Sequence, residues 1–236
     1  MPAPAGLRRI HDHVSAGIII SYDGTPNDDD ALALGKALAA GSASLALAYV
    51  RHSREFDPAR EALAQHDAER RLRAGAHLLG DDELPIHVVF SASTDAGLEQ
   101  LAESEGASVI VFGSDYRTAP GRAEPGNTAQ RLLEGGPVAI GVAQAGLRTK
   151  VGQQIHTIAV PEAGADEVAR ATAEALASKL GAELISGDTS AADLIVVGSQ
   201  PGSRPGHVAL GGATRAVLNA ARGSVLVLAH GVAVEL

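Results

Sequence analysis

The residues best suited to chemistry are an aspartate and a glycine-rich loop that lie far apart in the sequence. Asp23 follows the apolar run of residues 17–22, and a loop rich in glycine and proline extends from Gly113 to Gly126. A carboxylate can accept hydrogen bonds from ribose hydroxyls, and glycines let the backbone approach phosphate groups closely. The pair therefore predicts a site with the chemistry of nucleotide binding.

Other clusters of titratable residues have simpler explanations. The aspartates at 28–30 could be a magnesium cluster, but three acids in the first turn of a helix ordinarily compensate its dipole, so we expect no metal there. His11 and His13 flank Asp12 within residues 1–16, which we expect to be a solvated polar tail. The sequence has no Cys, which excludes disulfides and thiolate zinc sites.

Composition narrows the function classes further. The 19 basic and 28 acidic residues give a net charge of -9, which disfavours binding to nucleic acid or to an anionic membrane surface. The sequence contains no P-loop, HExxH, GxSxG or GxGxxG motif in a suitable context. The missing motifs favour a protein that is not an enzyme, although they leave catalysis open. Residues 1–16 carry charges where a signal peptide needs an apolar stretch, so we expect a cytoplasmic protein.

The elements that must position Asp23 and the loop alternate between strands and helices. β-branched runs predict strands at 17–22, 44–51, 86–91, 108–112 and 138–143. Helical spacing predicts helices from Pro26 to near Gly41, from Asp57 to Gly80, from Asp95 to Glu105 and from about Asn127. This alternation is typical of parallel βαβ units.

The same pattern repeats, shortened, in the C-terminal part. The elements that return are, in chain order, a predicted strand at 156–160, a helix at 166–180, a strand at 182–186, the LIVV run, a helix at 213–221 and a strand at 225–230. The interval from Tyr22 to Gly113 is 91 residues, whereas the equivalent interval from Val160 to Gly198 is 38. The second half therefore lacks a helix, a strand and another helix, and we expect it to need cover from the first half.

Four segments of the chain resemble the universal stress protein family. They are ISYDGTPNDDDALALGKALA, ASVIVFGS, AADLIVVGS and GGATRAVLNAARGSVLVL. The resemblance implies two α/β domains of the Rossmann-like, adenine-nucleotide alpha-hydrolase-like type, each with the parallel strand order 3-2-1-4-5. The implied organisation is a tail (1–16), a complete domain (17–143), a linker (144–154) and a trimmed domain (155–236).

The resemblance also implies a ligand site. The ATP-binding branch of the family has a loop of pattern Gly-x2-Gly-x9-Gly-Ser/Thr, which implies ATP or another adenine nucleotide as ligand. The matching positions are Asp23 for ribose and adenine, Val50 for adenine, and Gly113, Gly126, Asn127 and the adjacent Thr128 for phosphate. The second half has Pro161 at the aspartate position and Gly212 at the hydroxyl position, so we expect a site in the first half alone.

Aromatic and basic residues near this site have two interpretations each. Tyr22, Tyr49 and Tyr116, the last at the second glycine position of the loop, follow neighbouring strands and are predicted to ring the crevice where the strand order reverses. They could stack on a base or fill an abandoned pocket. Arg117 and Arg122 could offset phosphate charge or face solvent.

The implied function is that of a stress-response regulator that binds an adenine nucleotide weakly or carries no ligand. A nucleotide-hydrolysing enzyme of the related alpha-hydrolase fold is the alternative. The family's dimers further imply an antiparallel contact between strands 138–143 and 225–230, giving an intramolecular pseudo-dimer to which a homodimer could be added.

Overall fold

The computed structural model describes residues 17–39, 42–150 and 154–236. The expected end of the first helix near Gly41 and the His11/His13 pair lie outside these residues. In chain order the elements are β1 (Ile18–Ser21), α1 (Pro26–Ala39), β2 (Leu45–Arg51), α2 (Pro58–Leu79), β3 (Ile86–Phe90), α3 (Thr94–Glu105), β4 (Val109–Phe112), α4 (Asn127–Leu133), β5 (Ala139–Val142), a 3₁₀ turn (Leu147–Thr149), β6 (Thr157–Val160), α5 (Glu167–Leu180), β7 (Glu183–Ser186), β8 (Leu194–Val197), α6 (Gly212–Ala220) and β9 (Ser224–Val227).

All nine of these strands form one sheet of order β3-β2-β1-β4-β5-β9-β8-β6-β7. Within each half the strands are parallel, and the first half has the predicted order 3-2-1-4-5. The halves meet where β5 and β9 pair antiparallel, with Ile140 opposite Val227. The predicted α/β fold and this antiparallel contact are confirmed. The resemblance implied one parallel sheet in each domain, whereas here a single continuous sheet contains both parallel and antiparallel pairs.

Helices cover both faces of the sheet, as buried parallel strands require. Buried residues of α1, α2 and α5 pack on one face, and those of α3, α4 and α6 pack on the other. Local sequence sets the helix ends: α2 begins after Asp57, whose carboxylate accepts from two amides of the first turn, and ends at Gly80 in the left-handed conformation. The long helices are therefore placed by capping residues as well as by their apolar faces.

The second half retains one helix on each face of its part of the sheet. Leu147, Ile155 and Val234, which lie in short segments, are buried in the same core as α1, α2 and α5. Backbone from the C-terminal segment is held there because the Val234 amide donates to the Thr172 hydroxyl at 3.2 Å. The outermost strand, β7, keeps an exposed edge, where Leu184 is 37 % exposed.

The segment that follows β5 is docked on α1 through a buried carboxylate. Asp30 is fully buried and accepts hydrogen bonds from the Gly146 and Arg148 amides at 2.8 and 2.7 Å. Its second oxygen also contacts the Arg148 guanidinium at 2.8 Å, and that guanidinium donates to the Pro26 carbonyl at 2.6 Å. Residues 144–150 of the predicted linker are therefore fixed against the first turn of α1.

Candidate functional site

A cavity of about 360 Å³ opens at the carboxyl ends of β1, β2 and β4. The strand order reverses between β1 and β4, so this is the crevice where ligands of open α/β sheets bind. All six site residues predicted from the sequence line it, namely Asp23, Val50, Gly113, Gly126, Asn127 and Thr128. The other lining residues are Ser21, Asp28, Tyr49, His52, Thr94, Phe112 and Ala129. The fold therefore brings five separate segments of the first half together.

Asp23 and Asp28 place two carboxylates on one wall of the cavity. The Asp28 carboxylate accepts from the Thr25 hydroxyl at 2.7 Å and from the Thr25 and Asp23 amides at 3.0 and 3.2 Å. Burial, together with the neighbouring Asp23 carboxylate, raises the pKa of Asp28 to about 7. Asp28 thus caps α1 and also lines the cavity, a second role that the helix-dipole interpretation missed. The Thr-x-x-Asp spacing of a capping box predicts the bond from Asp28 to the Thr25 amide, but it does not indicate that the carboxylate also faces a cavity.

The two glycines of the predicted phosphate loop differ in their surroundings. A Cβ on Gly113 would overlap the carbonyl group of Asn27, so the α1 backbone itself needs this glycine. A Cβ on Gly126 would meet nothing within 4 Å. Gly113 therefore has a packing role, whereas Gly126 leaves open space at the cavity.

The first turn of α4 presents polar backbone to the cavity. The first hydrogen bond of α4 runs from the Gln130 amide to the Gly126 carbonyl, so the amides of the three preceding residues point out of the first turn. Those residues, Asn127, Thr128 and Ala129, all line the cavity. Upstream, the buried Ser114 hydroxyl donates to the Ala143 carbonyl at 2.7 Å and fixes the loop to the end of β5. The arrangement offers hydrogen-bond donors opposite the carboxylate pair.

Only one of the three tyrosines expected to ring the crevice is among its lining residues. Tyr49 lines the cavity, and the Arg71 guanidinium lies 5.6 Å from the centre of its ring. Tyr22 is buried in the core under α1 and α2, on the same face of the sheet as Tyr49, and its hydroxyl donates to Asp29 at 3.2 Å. Tyr116 is 74 % exposed and does not line the cavity. The expectation for Tyr22 and Tyr116 was wrong because Tyr22 is enclosed in the core, whereas Tyr116 is exposed to solvent.

The two loop arginines do not line the cavity either. Arg117 lies over the exposed Tyr116 ring at 4.8 Å. Arg122 donates to the Asn219 carbonyl near the end of α6 and lies 3.7 Å from Glu124. Arg122 therefore connects the halves of the chain, a role that neither interpretation from sequence included.

In the second half, the loop that follows β6 packs closely against the end of β8 and the first turn of α6. The Gly198 amide donates to the Gly164 carbonyl at 2.9 Å, and a Cβ on Gly164 would lie 3.3 Å from the Thr214 amide nitrogen of α6. Strand pairing also shifts the alignment: Ile18 lies opposite Val109, and Ile158 lies opposite Leu194. This register puts Ala163, not Pro161, at the position of Asp23. The second half still offers no carboxylate at that position.

In residues 17–39, 42–150 and 154–236, no group of three or more His, Asp or Glu residues could hold a metal ion. None of the helices in that part of the chain is long and apolar enough to cross a membrane.

The fold and the crevice define a doubly wound α/β protein with its open cavity at the point where the strand order reverses. The sequence profile of the universal stress protein family matches residues 17–142, and the chain belongs to that family. No curated protein sequence matches the chain.

Several solved structures share the fold over nearly the whole chain. A universal stress protein from Archaeoglobus fulgidus DSM 4304 is 14 % identical with a TM-score of 0.65, and the match covers 92 % of this chain and 99 % of that one. A putative universal stress protein from Pseudomonas aeruginosa UCBPP-PA14 is 16 % identical with a TM-score of 0.55, covering 92 % and 94 %. A functionally unknown protein from Pseudomonas aeruginosa PAO1 is 16 % identical with a TM-score of 0.57, covering 92 % and 93 %.

Proposed function

We propose that this chain is a tandem universal-stress-type regulatory protein that binds an adenine nucleoside or nucleotide weakly at the cavity of its first half. Membership of the family supports a regulatory role in stress responses. The proposed division is a complete domain at 17–143 and a trimmed domain at 155–236, acting in the cytoplasm.

One observation carries the proposal of a ligand site. The six residues chosen from the sequence, Asp23, Val50, Gly113, Gly126, Asn127 and Thr128, come from separate elements and line a single cavity. That cavity combines an exposed carboxylate for a ribose diol, an aromatic ring and apolar side chains for a base, and amides of α4 for polar groups. The lack of a carboxylate at the position of Asp23 in the second half, where Ala163 stands, supports one site per chain.

Calorimetric titration of the full chain with adenosine and with ATP tests the proposal. We expect heat of binding with the unaltered protein and its loss in Asp23→Ala, because the diol loses its acceptor. Tyr116→Ala is the matched control, since Tyr116 does not line the cavity, and its affinity should be unchanged. Undiminished binding in Asp23→Ala would contradict the assignment. Phosphate release measured in the same samples separates binding from hydrolysis, and we expect none above background.

A further inference from the structure

We propose that the cavity selects an uncharged nucleoside over its triphosphate. This inference rests on the proposed adenine site and specifies its ligand class. The ligand would place its ribose diol at Asp23 and its base near Tyr49, without a phosphate chain.

The charge of the lining residues is the first argument. Two carboxylates, those of Asp23 and Asp28, line the cavity, and its described lining residues include no Lys or Arg. A polyanion placed there would meet negative charge within a few ångströms, in surroundings less polar than water. A neutral nucleoside would meet the same carboxylates as hydrogen-bond acceptors.

The helix N-termini at the cavity do little to reverse this balance. A helix N-terminus carries roughly half a positive charge, which its own acids can offset. Asp28 accepts bonds at the start of α1, and Asp95 lies in the first turn of α3 beside the lining residue Thr94. Of the three described helices that begin at the cavity, α1, α3 and the seven-residue α4, α4 alone has no acid in its first turn. The partial positive charge of one short helix is therefore set against the negative charges of two carboxylates.

Three arginines of the first half are held in contacts with other protein groups. Arg122 donates to the Asn219 carbonyl, and Arg117 stacks on Tyr116. Arg71 of α2 donates to the hydroxyl of the lining residue Tyr49 at 3.4 Å. The Asn27 carbonyl occupies the position beside Gly113, so a ligand phosphate does not have access to the bare backbone there. The structure thus keeps the carboxylates at the cavity and holds these guanidinium groups in other contacts.

The test is a titration of the full chain with adenosine, AMP and ATP at about pH 8 and constant ionic strength, in EDTA so that no divalent cation masks the phosphates. We expect affinity to fall along the series, with ATP at least about tenfold weaker than adenosine, the order expected for added like charge near a carboxylate pair. Asp28→Asn removes one charge and should narrow the adenosine-to-ATP ratio several-fold. Asp29→Asn removes the same charge at a residue outside the cavity lining, so it should leave the adenosine-to-ATP affinity ratio unchanged.

Each outcome has one meaning. ATP binding as tightly as adenosine to the unaltered protein would overturn this inference and leave the adenine site standing. Binding of none of the three compounds would overturn the proposed function as well. An unchanged ratio in Asp28→Asn, or an equal change in Asp29→Asn, would show that cavity charge does not set the selectivity. The compound series on the unaltered protein does not depend on how either variant folds.

Discussion

Replacing Asp30 with alanine should release the segment that joins the two halves of the chain. Asp30 is 0 % exposed, and its oxygens accept from two backbone amides and from the Arg148 guanidinium, all between 2.7 and 2.8 Å. Alanine would leave the Gly146 and Arg148 amides without the fully buried acceptor that they share. It would also remove the carboxylate partner of a guanidinium that is 34 % exposed and that keeps its bond to the Pro26 carbonyl.

The expected loss follows from these contacts. Removing one member of a fully buried ion pair costs about 3–5 kcal/mol, but Arg148 retains some solvent contact, so we expect a loss of about 3 kcal/mol in the free energy of unfolding. For a chain of this length, that loss lowers the melting temperature by about 6–12 °C. Asp30→Asn keeps the shape and one acceptor oxygen, so its cost should be smaller.

Urea unfolding and hydrogen exchange together measure this effect. The amides of residues 146–150 should lose protection before those of the central strands, because their attachment to α1 is the contact removed. Asp67→Ala is the control: Asp67 and its partner Arg70 are both exposed, and such a pair contributes about 0.5 kcal/mol or less. A loss below about 1 kcal/mol in Asp30→Ala, or unchanged exchange at 146–150, would refute the argument.

Three further predictions concern packing, titration and assembly. Gly113→Ala should lower the free energy of unfolding by about 2 kcal/mol or more, because its Cβ would overlap the α1 backbone. Gly126→Ala, whose Cβ meets nothing, should lower it by less than about 0.5 kcal/mol. Equal losses of the two variants in urea unfolding would contradict this. Because the pKa of Asp28 is raised to about 7, the folded state binds the extra proton, and this group lowers the free energy of unfolding as pH rises from about 4 to 7. The free energy of unfolding of Asp28→Asn should therefore rise relative to that of the unaltered protein as pH increases from about 5 to about 8, measured by urea unfolding at each pH. If the difference between the two proteins does not change with pH, Asp28 does not titrate in that window. Residues 154–236 expressed alone should self-associate in ultracentrifugation, because β9 loses its pairing with β5; a monomer with protected strand amides would show that this half covers itself.

Periodicity and capping signals predicted the elements well because they act within a few residues. The β-branched run of β8 and the Asp57-Pro58 start of α2 appear where the sequence indicates them. Family resemblance added the strand order and the contact of β5 with β9, which local patterns do not contain. The six predicted site residues line one cavity because strand ends at the reversal of the order necessarily converge there.

Side-chain burial and long-range contacts were beyond the sequence. Tyr22 continues the alternation of Ile18 and Ile20 into the buried core, and Tyr116 is exposed to solvent, so neither lines the cavity. The attachment of Arg148 to Asp30 joins residues 118 positions apart, and no local pattern indicates it. The counterpart of Asp23 in the second half is Ala163, two residues after the predicted Pro161, because the register of β6 is set by its pairing with neighbouring strands and not by the residues that follow it.

The antiparallel junction of β5 and β9 has a consequence for stoichiometry. In an assembly of separate subunits, partners meet at a rate set by their concentration, and every subunit brings an identical site. Here the partner surfaces belong to one polypeptide, so the junction forms at a high effective concentration whatever the expression level. Identity between the partners is then no longer required. One half can specialise as a structural support while the other keeps an open crevice, and dilution in the cell cannot separate the two.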